Sequence, residues 1–262
     1  MRIDTEYPLT VPIHLNGAGP YSFLLDTGYS SANLSQAVAG ELSLSLDSHG
    51  CAVLDTFAVG DLVLPGYQIH VRDDSESPAS AVRVKHVDGF LGMGFLKYYQ
   101  TTIDYPSQCA CFYDLANTMV RTAVAPEPGY SYVRIRFSGG LIVVPVQVND
   151  QGPYQFLLDT GAQTTIVSPE LASEIGLALG TARTARGVES MLVAHDSEAV
   201  SLLVGSQRVE CLPVSVMDCA RATAAAATHI DGYLGHNFLQ RFTLRFNVLE
   251  LWMGLGQSIP SG

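Results

Sequence analysis

Residues 11–28 read VPIHLNGAGPYSFLLDTG, and residues 144–161 read VPVQVNDQGPYQFLLDTG. The two stretches align without a gap at an offset of 133, from Asp26 to Asp159, and 12 of the 18 positions are identical. A second pair follows, HVDGFLGMGFL at 86–96 and HIDGYLGHNFL at 229–239, at an offset of 143. Between them AVGDLVLPGYQIHV (58–71) matches LVGSQRVECLPVSV (203–216), with Gly60 against Gly205 at an offset of 145. The order is the same in both halves, so one fold unit is written twice.

The drift of the offset locates where the halves differ. Between the DTG and the Gly60/Gly205 segment the second half is longer by 12 residues, and the excess falls around LALGTARTARGVES (177–190). ANTMVRTAVAPEPGYS (116–131) has two prolines, a glycine and no amphipathic period, and reads as a linker. We place the boundary near Val124, giving lobes at 1–124 and 125–262.

The local reading is mostly strand. VPIHLN and VPVQVN are β-rich runs that end at expected turns on Gly19-Pro20 and Gly152-Pro153. YSFLLD and YQFLLD alternate too little for half-exposed strands and read as buried on both faces. In SPELASEIGL, Ser168 can cap a helix, Pro169 takes its first position and Gly176 can end it. SQAVAGEL (35–42) is its weaker counterpart, interrupted by Gly40. DGFLGMGFLKYY and DGYLGHNFLQRF read as turns leading into short helices, and TTIDY…CACFYD and TLRFNVLELWMG as closing hairpins. The expected class is all-β, with a few short helices.

Composition narrows the partners. The 262 residues are 47% hydrophobic and 15% charged, enough apolar surface for a sizeable core. A net charge of −11 is the opposite of what a phosphate-backbone binder needs, so nucleic acid is not expected as a partner. No apolar run approaches the roughly 20 residues of a membrane-spanning helix, and no secretory signal is visible in MRIDTEYPLT. That start and the odd count of five cysteines point to reduced thiols and, as the chain stands, to the cytoplasm. Cys109 and Cys111 alternate along one strand and are expected on a buried face. Neither C-x-x-C nor zinc-type histidine spacing occurs, so no metal or other cofactor is expected.

The chemistry sits at Asp26 and Asp159. Asp-Thr-Gly alone occurs by chance in roughly one chain in twenty of this length; its recurrence at matched positions after apolar strands is a different matter. A carboxylate at the end of an apolar strand is costly to bury alone. Two lobes related by a pseudo-twofold axis would bring the pair together at that axis. Two adjacent carboxyls share a proton, so one serves as acid and the other as base. A water between them can then attack a carbonyl without a covalent intermediate.

Phe23-Leu24-Leu25-Asp26-Thr27-Gly28 and Phe156-Leu157-Leu158-Asp159-Thr160-Gly161-Ala162, each followed by Asp-Gly-(Phe/Tyr)-Leu-Gly, resemble the aspartic proteases that include pepsins and retroviral proteases. The short units look like retropepsin-type bacterial aspartyl protease-like domains, here two in one chain. The resemblance implies a bilobal acid-protease barrel and a monomeric endopeptidase acting on an extended peptide. It implies that Asp26 and Asp159 are the catalytic pair and that Thr27 and Thr160 bond across the lobes. Gly28 and Gly161 would admit backbone amides, and Leu91-Gly92 and Leu234-Gly235 would pack behind the loops. Hairpin flaps are expected near His49-Gly50 and Arg186-Gly187, so Gly50 and Gly187 join Tyr29 and Ala162 as expected substrate contacts. Ala162 fits the pattern, whereas Tyr29 is bulky where crowding of the pair is expected, and Asn33 stands where the second half has Ile166. The alternatives are acid–base chemistry on a small non-peptide molecule and a silent binding module. The first predicts a closed apolar pocket beside Tyr29; the second predicts aspartates too far apart, or too separately hydrogen-bonded, to share a proton.

The remaining candidates have plainer readings. His86, His229, Asp88 and Asp231 are expected as turn or capping residues, and Trp252 as core or interlobe packing. The alanines 222–227 beside Arg221 read as a surface loop or frayed helix, and the acidic cluster at 73–76 as a solvated loop.

Overall fold

The computed structural model describes residues 1–72, 87–116, 128–186 and 191–257. In the first half, β1 (Thr10–Leu15), β2 (Ala18–Leu25), β3 (Ala32–Ser35), α1 (Gln36–Glu41), β4 (Cys51–Val59), β5 (Leu62–Arg72), β6 (Gly89–Leu91) and α2 (Met93–Leu96) follow one another. The strands close into a barrel in the order β1-β2-β6-β3-β5-β4. β7 (Tyr99–Asp104) and β8 (Cys109–Asp114) end this half, and β9 (Tyr130–Arg134) and β10 (Arg136–Ser138) open the next.

The second half repeats the plan. β11 (Leu141–Val148), β12 (Gln151–Leu158), β13 (Thr165–Val167) and α3 (Pro169–Glu174) correspond to β1, β2, β3 and α1. β14 (Leu179–Arg186), β15 (Met191–Ser197), β16 (Val200–Val204), β17 (Gln207–Leu212), β18 (Val214–Met217) and α4 (Ala220–Ala226) come next. β19 (Gly232–Leu234) and α5 (His236–Leu239) correspond to β6 and α2, and β20 (Phe242–Asn247) and β21 (Trp252–Gln257) finish the chain. The second sheet runs β14-β15-β18-β13-β19-β12-β11-β16-β17, with β10 on β11. A third sheet, β8-β7-β20-β21-β9, takes strands from both halves and joins the lobes. The architecture is all-β with two matching halves and a few short helices, as expected.

Duplication extends to register. Val11 pairs with Phe23 and Val144 with Phe156, so the same side chains enter each core. Phe23, Leu25, Phe156 and Leu158 are fully buried in one continuous apolar cluster. Burying each such side chain contributes about 1.5–3 kcal/mol. Ser35 and Ser168 cap α1 and α3 by accepting the amides of Val38 and Leu171. Gly40 lies inside α1, which is as long as α3, so it does not interrupt the helix.

The first hairpin turns are not at Gly-Pro. They lie at Asn16-Gly17 and Asn149-Asp150, where both central residues have positive φ (51° and 78°, 49° and 63°). Two-residue hairpins need that handedness, because it matches the twist of the flanking strands. Gly19-Pro20 and Gly152-Pro153 fall inside β2 and β12. Each turn asparagine also accepts an amide from a neighbouring strand, Asn16 from Thr56 and Asn149 from Ser201.

The halves part company after α1 and α3. In the second lobe β14 and β15 form a hairpin with Arg186 opposite Met191, and β15 continues onto β18. Gly187 lies outside the described residues. In the first lobe the corresponding stretch is a tight turn. The Asp47 carboxylate accepts the amides of His49 and Cys51, and Gly50 takes φ 72°. A flap at His49-Gly50 is thus corrected: the 12 extra residues supply a strand that the first lobe lacks, and Gly50 serves its own lobe's turn.

Other expectations also change. Cys111 is exposed and Cys109 half-buried, because β8 edges the joining sheet. Residues 220–226 form a helix, with Ala222 and Ala226 buried and Gly139 packed on the Ala225 carbonyl. Trp252 lies in the joining sheet, edge-on to Tyr132. The boundary at Val124, the cluster at 73–76 and His86 lie outside the described residues. No helix among the described residues is long and apolar enough to cross a membrane.

Candidate active site

Asp26 and Asp159 leave β2 and β12 at the same point. Parallel pairing sets Leu25 beside Leu91 and Leu158 beside Leu234. The next amides, of Asp26 and Asp159, donate to the Leu91 and Leu234 carbonyls at 3.1 Å. Gly92 and Gly235 lie tight against the loop that follows each aspartate, where a Cβ would strike the carbonyls of Ser31 and Thr164. The apolar-Gly segments therefore stand behind the loops, where the resemblance puts them.

The two loops meet through their threonines, both fully buried. Thr27 Oγ1 donates to the Leu158 carbonyl at 2.8 Å and accepts the Thr160 amide at 3.0 Å. Thr160 Oγ1 donates to the Leu25 carbonyl at 2.6 Å and accepts the Thr27 amide at 3.0 Å. Four hydrogen bonds thus tie together residues 131 to 135 positions apart in the chain.

This contact crosses the carboxyls over. A Cβ on Gly28 would come within 2.5 Å of Asp159 Cγ, and one on Gly161 within 2.5 Å of Asp26 Cγ. Each aspartate therefore rests on the glycine of the opposite lobe, a place only a residue without a side chain can hold. The two carboxyl groups are near enough for each to shift the other's ionisation. Asp26 Oδ1 accepts the Gly28 amide at 2.9 Å, and Asp159 Oδ1 accepts those of Gly161 at 2.9 Å and Ala162 at 3.0 Å.

Burial is the largest influence on both groups and pushes both above the usual carboxylate range. For Asp26 the charge of Asp159 adds to the rise, and the shift is large. For Asp159 the Gly161 and Ala162 amides favour the anion and moderate the rise. A proton held between two such groups belongs to the pair. The arrangement can deprotonate one group and protonate another on the two sides of a small reacting centre.

Tyr29 does not turn onto the pair. Its ring packs on Phe90 at 5.4 Å, and its hydroxyl accepts Asn33 Nδ2 at 3.0 Å. The two departures in the first lobe are therefore a matched set: Asn33 stands where Ile166 does because Tyr29 stands where Ala162 does.

Asp88 and Asp231 act as turn and cap residues. Their Oδ2 atoms accept the amides of Ser22 and Gln155 at 2.7 Å. His229 Nε2 approaches Asp231 Oδ1 at 3.0 Å. Tyr7 was not singled out from sequence, yet its hydroxyl donates to the Gly161 carbonyl at 3.1 Å across the lobes and its ring meets His236. It precedes the repeat, so no internal comparison marks it. No group of His, Cys, Asp and Glu among the described residues has the geometry to hold a metal ion.

Comparison with known proteins follows this geometry. A family model described as aspartyl protease matches residues 144–238. A retropepsin-like aspartic protease from Rickettsia conorii is similar at 19% identity and TM-score 0.34, over 49% of this chain and 92% of that one. An aspartic proteinase from Irpex lacteus is similar at 14% identity and TM-score 0.47, over 95% of this chain and 93% of that one. No curated protein matches the chain. The family match falls within the second copy of the internal repeat.

Proposed function

We propose that the chain is a single-chain aspartic endopeptidase in which Asp26 and Asp159 activate water for hydrolysis of an extended peptide. The observation that carries the reading is the crossed seating of each carboxyl on the opposite glycine. One proton serves the pair because two adjacent buried carboxylates cannot both ionise cheaply. The ionised carboxyl takes a proton from water as its oxygen attacks the scissile carbonyl carbon. The protonated one donates to the carbonyl oxygen, giving a neutral gem-diol. Collapse breaks the C–N bond: the amine leaves with a proton from the pair, a gem-diol hydroxyl gives its proton to the pair as the new carbonyl forms, and the pair returns to one shared proton. Thr27 and Thr160 hold the loops so that the groups are in place before substrate arrives, which saves reorganisation in the transition state. Both lobes come from one chain, so a monomer supplies the whole site.

The crossed seating weighs against a silent binding module, which would hold the carboxyls apart. The test is cleavage of a denatured protein or peptide mixture between pH 3 and 7, read by mass spectrometry. We expect cleavage by the wild type, inhibition by a statine-type transition-state analogue, and loss of cleavage in Asp26→Asn and Asp159→Asn. Full activity in either variant, or no cleavage by the wild type, overturns the reading.

A further inference from the structure

In the first lobe Leu34 and Leu91 face the apolar core. Asn33 and Phe90 are one residue earlier on β3 and β6 and pair across the sheet, so they face the other way. Tyr29, the residue after the DTG, lies on that side with its ring on Phe90 and its hydroxyl on Asn33. The corresponding surface of the second lobe is Ala162, Ile166 and Tyr233, with Ile166 paired to Tyr233. The second lobe has the smaller Ala162 and the aliphatic Ile166 where the first has Tyr29 and a buried carboxamide.

That carboxamide is half satisfied. Asn33 is fully buried, its Nδ2 donates to Tyr29, and its Oδ1 has no partner. Exchanging the amide oxygen and nitrogen would leave the nitrogen unpaired instead, so the deficit is the same for either orientation. A buried polar atom without a partner is costly, and an apolar residue such as isoleucine would remove that cost at once. The second lobe has that solution at Ile166. Asn33 therefore fits a site that is completed by something outside the lobe.

We propose that Tyr29 and Asn33 form a substrate-selecting subsite in the first lobe, where Tyr29 turns aside and the Asn33 carboxamide pairs with a glutamine or asparagine side chain of the substrate. This rests on the endopeptidase reading. A second carboxamide offers a donor and an acceptor in one plane, so it gives Oδ1 the donor it lacks and takes over the Nδ2 hydrogen that Tyr29 held. An aliphatic side chain offers neither. A carboxylate offers only acceptors and has to be stripped of water next to an acidic pair. The Arg72 guanidinium lies over the outer part of this surface, 4.8 Å from the Phe90 ring, and makes glutamate the competing choice. Tyr29 is the movable cover, and Asn33 is the specificity determinant. The substrate class is a peptide with a carboxamide residue on one flank of the cut and an aliphatic residue on the other.

The test digests a peptide library, randomised within four residues of the cut, with wild type, Asn33→Ile and Tyr29→Ala. Asn33→Ile installs the second lobe's residue and removes the orphaned atom, so it is expected to fold. The wild type should favour glutamine or asparagine over leucine at one flanking position by at least about tenfold in kcat/KM, the size expected when a hydrogen-bonding site meets its partner. Asn33→Ile should lose or reverse that preference. Tyr29→Ala should keep it with a lower KM, because the cover is gone. No carboxamide preference, a glutamate preference, or a preference that survives in Asn33→Ile overturns the proposal. If the wild type cleaves no peptide, the endopeptidase reading fails on its own. The subsite is then read by calorimetry with two statine-type ligands that carry glutamine or leucine at the first-lobe flank. Tighter binding of the glutamine ligand that is lost in Asn33→Ile sustains the subsite; equal affinities, or no binding of either, overturn it.

Discussion

Replacing Thr27 by valine tests how the lobes are held in register. The substitution keeps the shape of the side chain and removes one hydroxyl from a fully buried position. Two partners are stranded: the Leu158 carbonyl, which accepted at 2.8 Å, and the Thr160 amide, which donated at 3.0 Å. Each buried polar group left without a partner costs about 1–3 kcal/mol, so the expected loss for two is about 2–6 kcal/mol. That is a large part of the roughly 5–15 kcal/mol typical of folded proteins. Thr160→Val strands the Leu25 carbonyl and the Thr27 amide and should cost a similar amount. Urea unfolding followed by tyrosine and tryptophan fluorescence measures both, with Thr27→Ser as the control that keeps the hydroxyl. The serine variant should lose less than about 1.5 kcal/mol, the cost of one buried methyl. A valine variant that loses under 1 kcal/mol, or no more than the serine variant, would refute the view that these bonds join the lobes.

Three further outcomes follow from the site. Asp26→Asn should abolish cleavage yet stabilise the fold at pH 7. The raised Asp26 contributes fully only below the unfolded value near 4, and that contribution is lost as pH rises through the folded value. The gain in Tm should therefore vanish near pH 3; equal Tm values at both pH extremes would contradict the raised ionisation. Because burial raises both carboxyls, the alkaline limb of the kcat/KM profile should lie well above pH 4, and a limb at or below 4 would count against the shared proton. Asp231→Ala removes the acceptor of the Gln155 amide at 2.7 Å, and a loss of about 1–2 kcal/mol in urea titration is expected. No loss would mean that the amide finds another partner.

How much was legible in the sequence depends on the reach of each feature. The caps at Ser168 and Ser35 and the buried runs ending at Asp26 and Asp159 are local, so composition and spacing sufficed. The turn at Asn16-Gly17 is local too, but Gly19-Pro20 carries an equally strong turn signature, and the hairpin takes the two adjacent positions that adopt positive φ. Cys109 and Cys111 alternate as a buried strand would, yet a strand at a sheet edge leaves that face open. Tyr7 has no counterpart in the repeat, and its contact with Gly161 spans 154 positions.

By itself the sequence determined that one unit is written twice, that an aspartate ends the same buried strand in each copy, and that the copies differ by 12 residues in one place. Period, repeat and turn chemistry act between neighbours and survive in a string of letters. Only the tertiary structure decided that each carboxyl rests on the other lobe's glycine, and that the 12 residues make a hairpin in one lobe against an Asp47 turn in the other. It also decided that Tyr29 and Asn33 answer each other. The crossing of the carboxyls exists only once the two lobes have docked. Docking is set by the threonine bonds and the joining sheet, whose partners lie far apart in the chain.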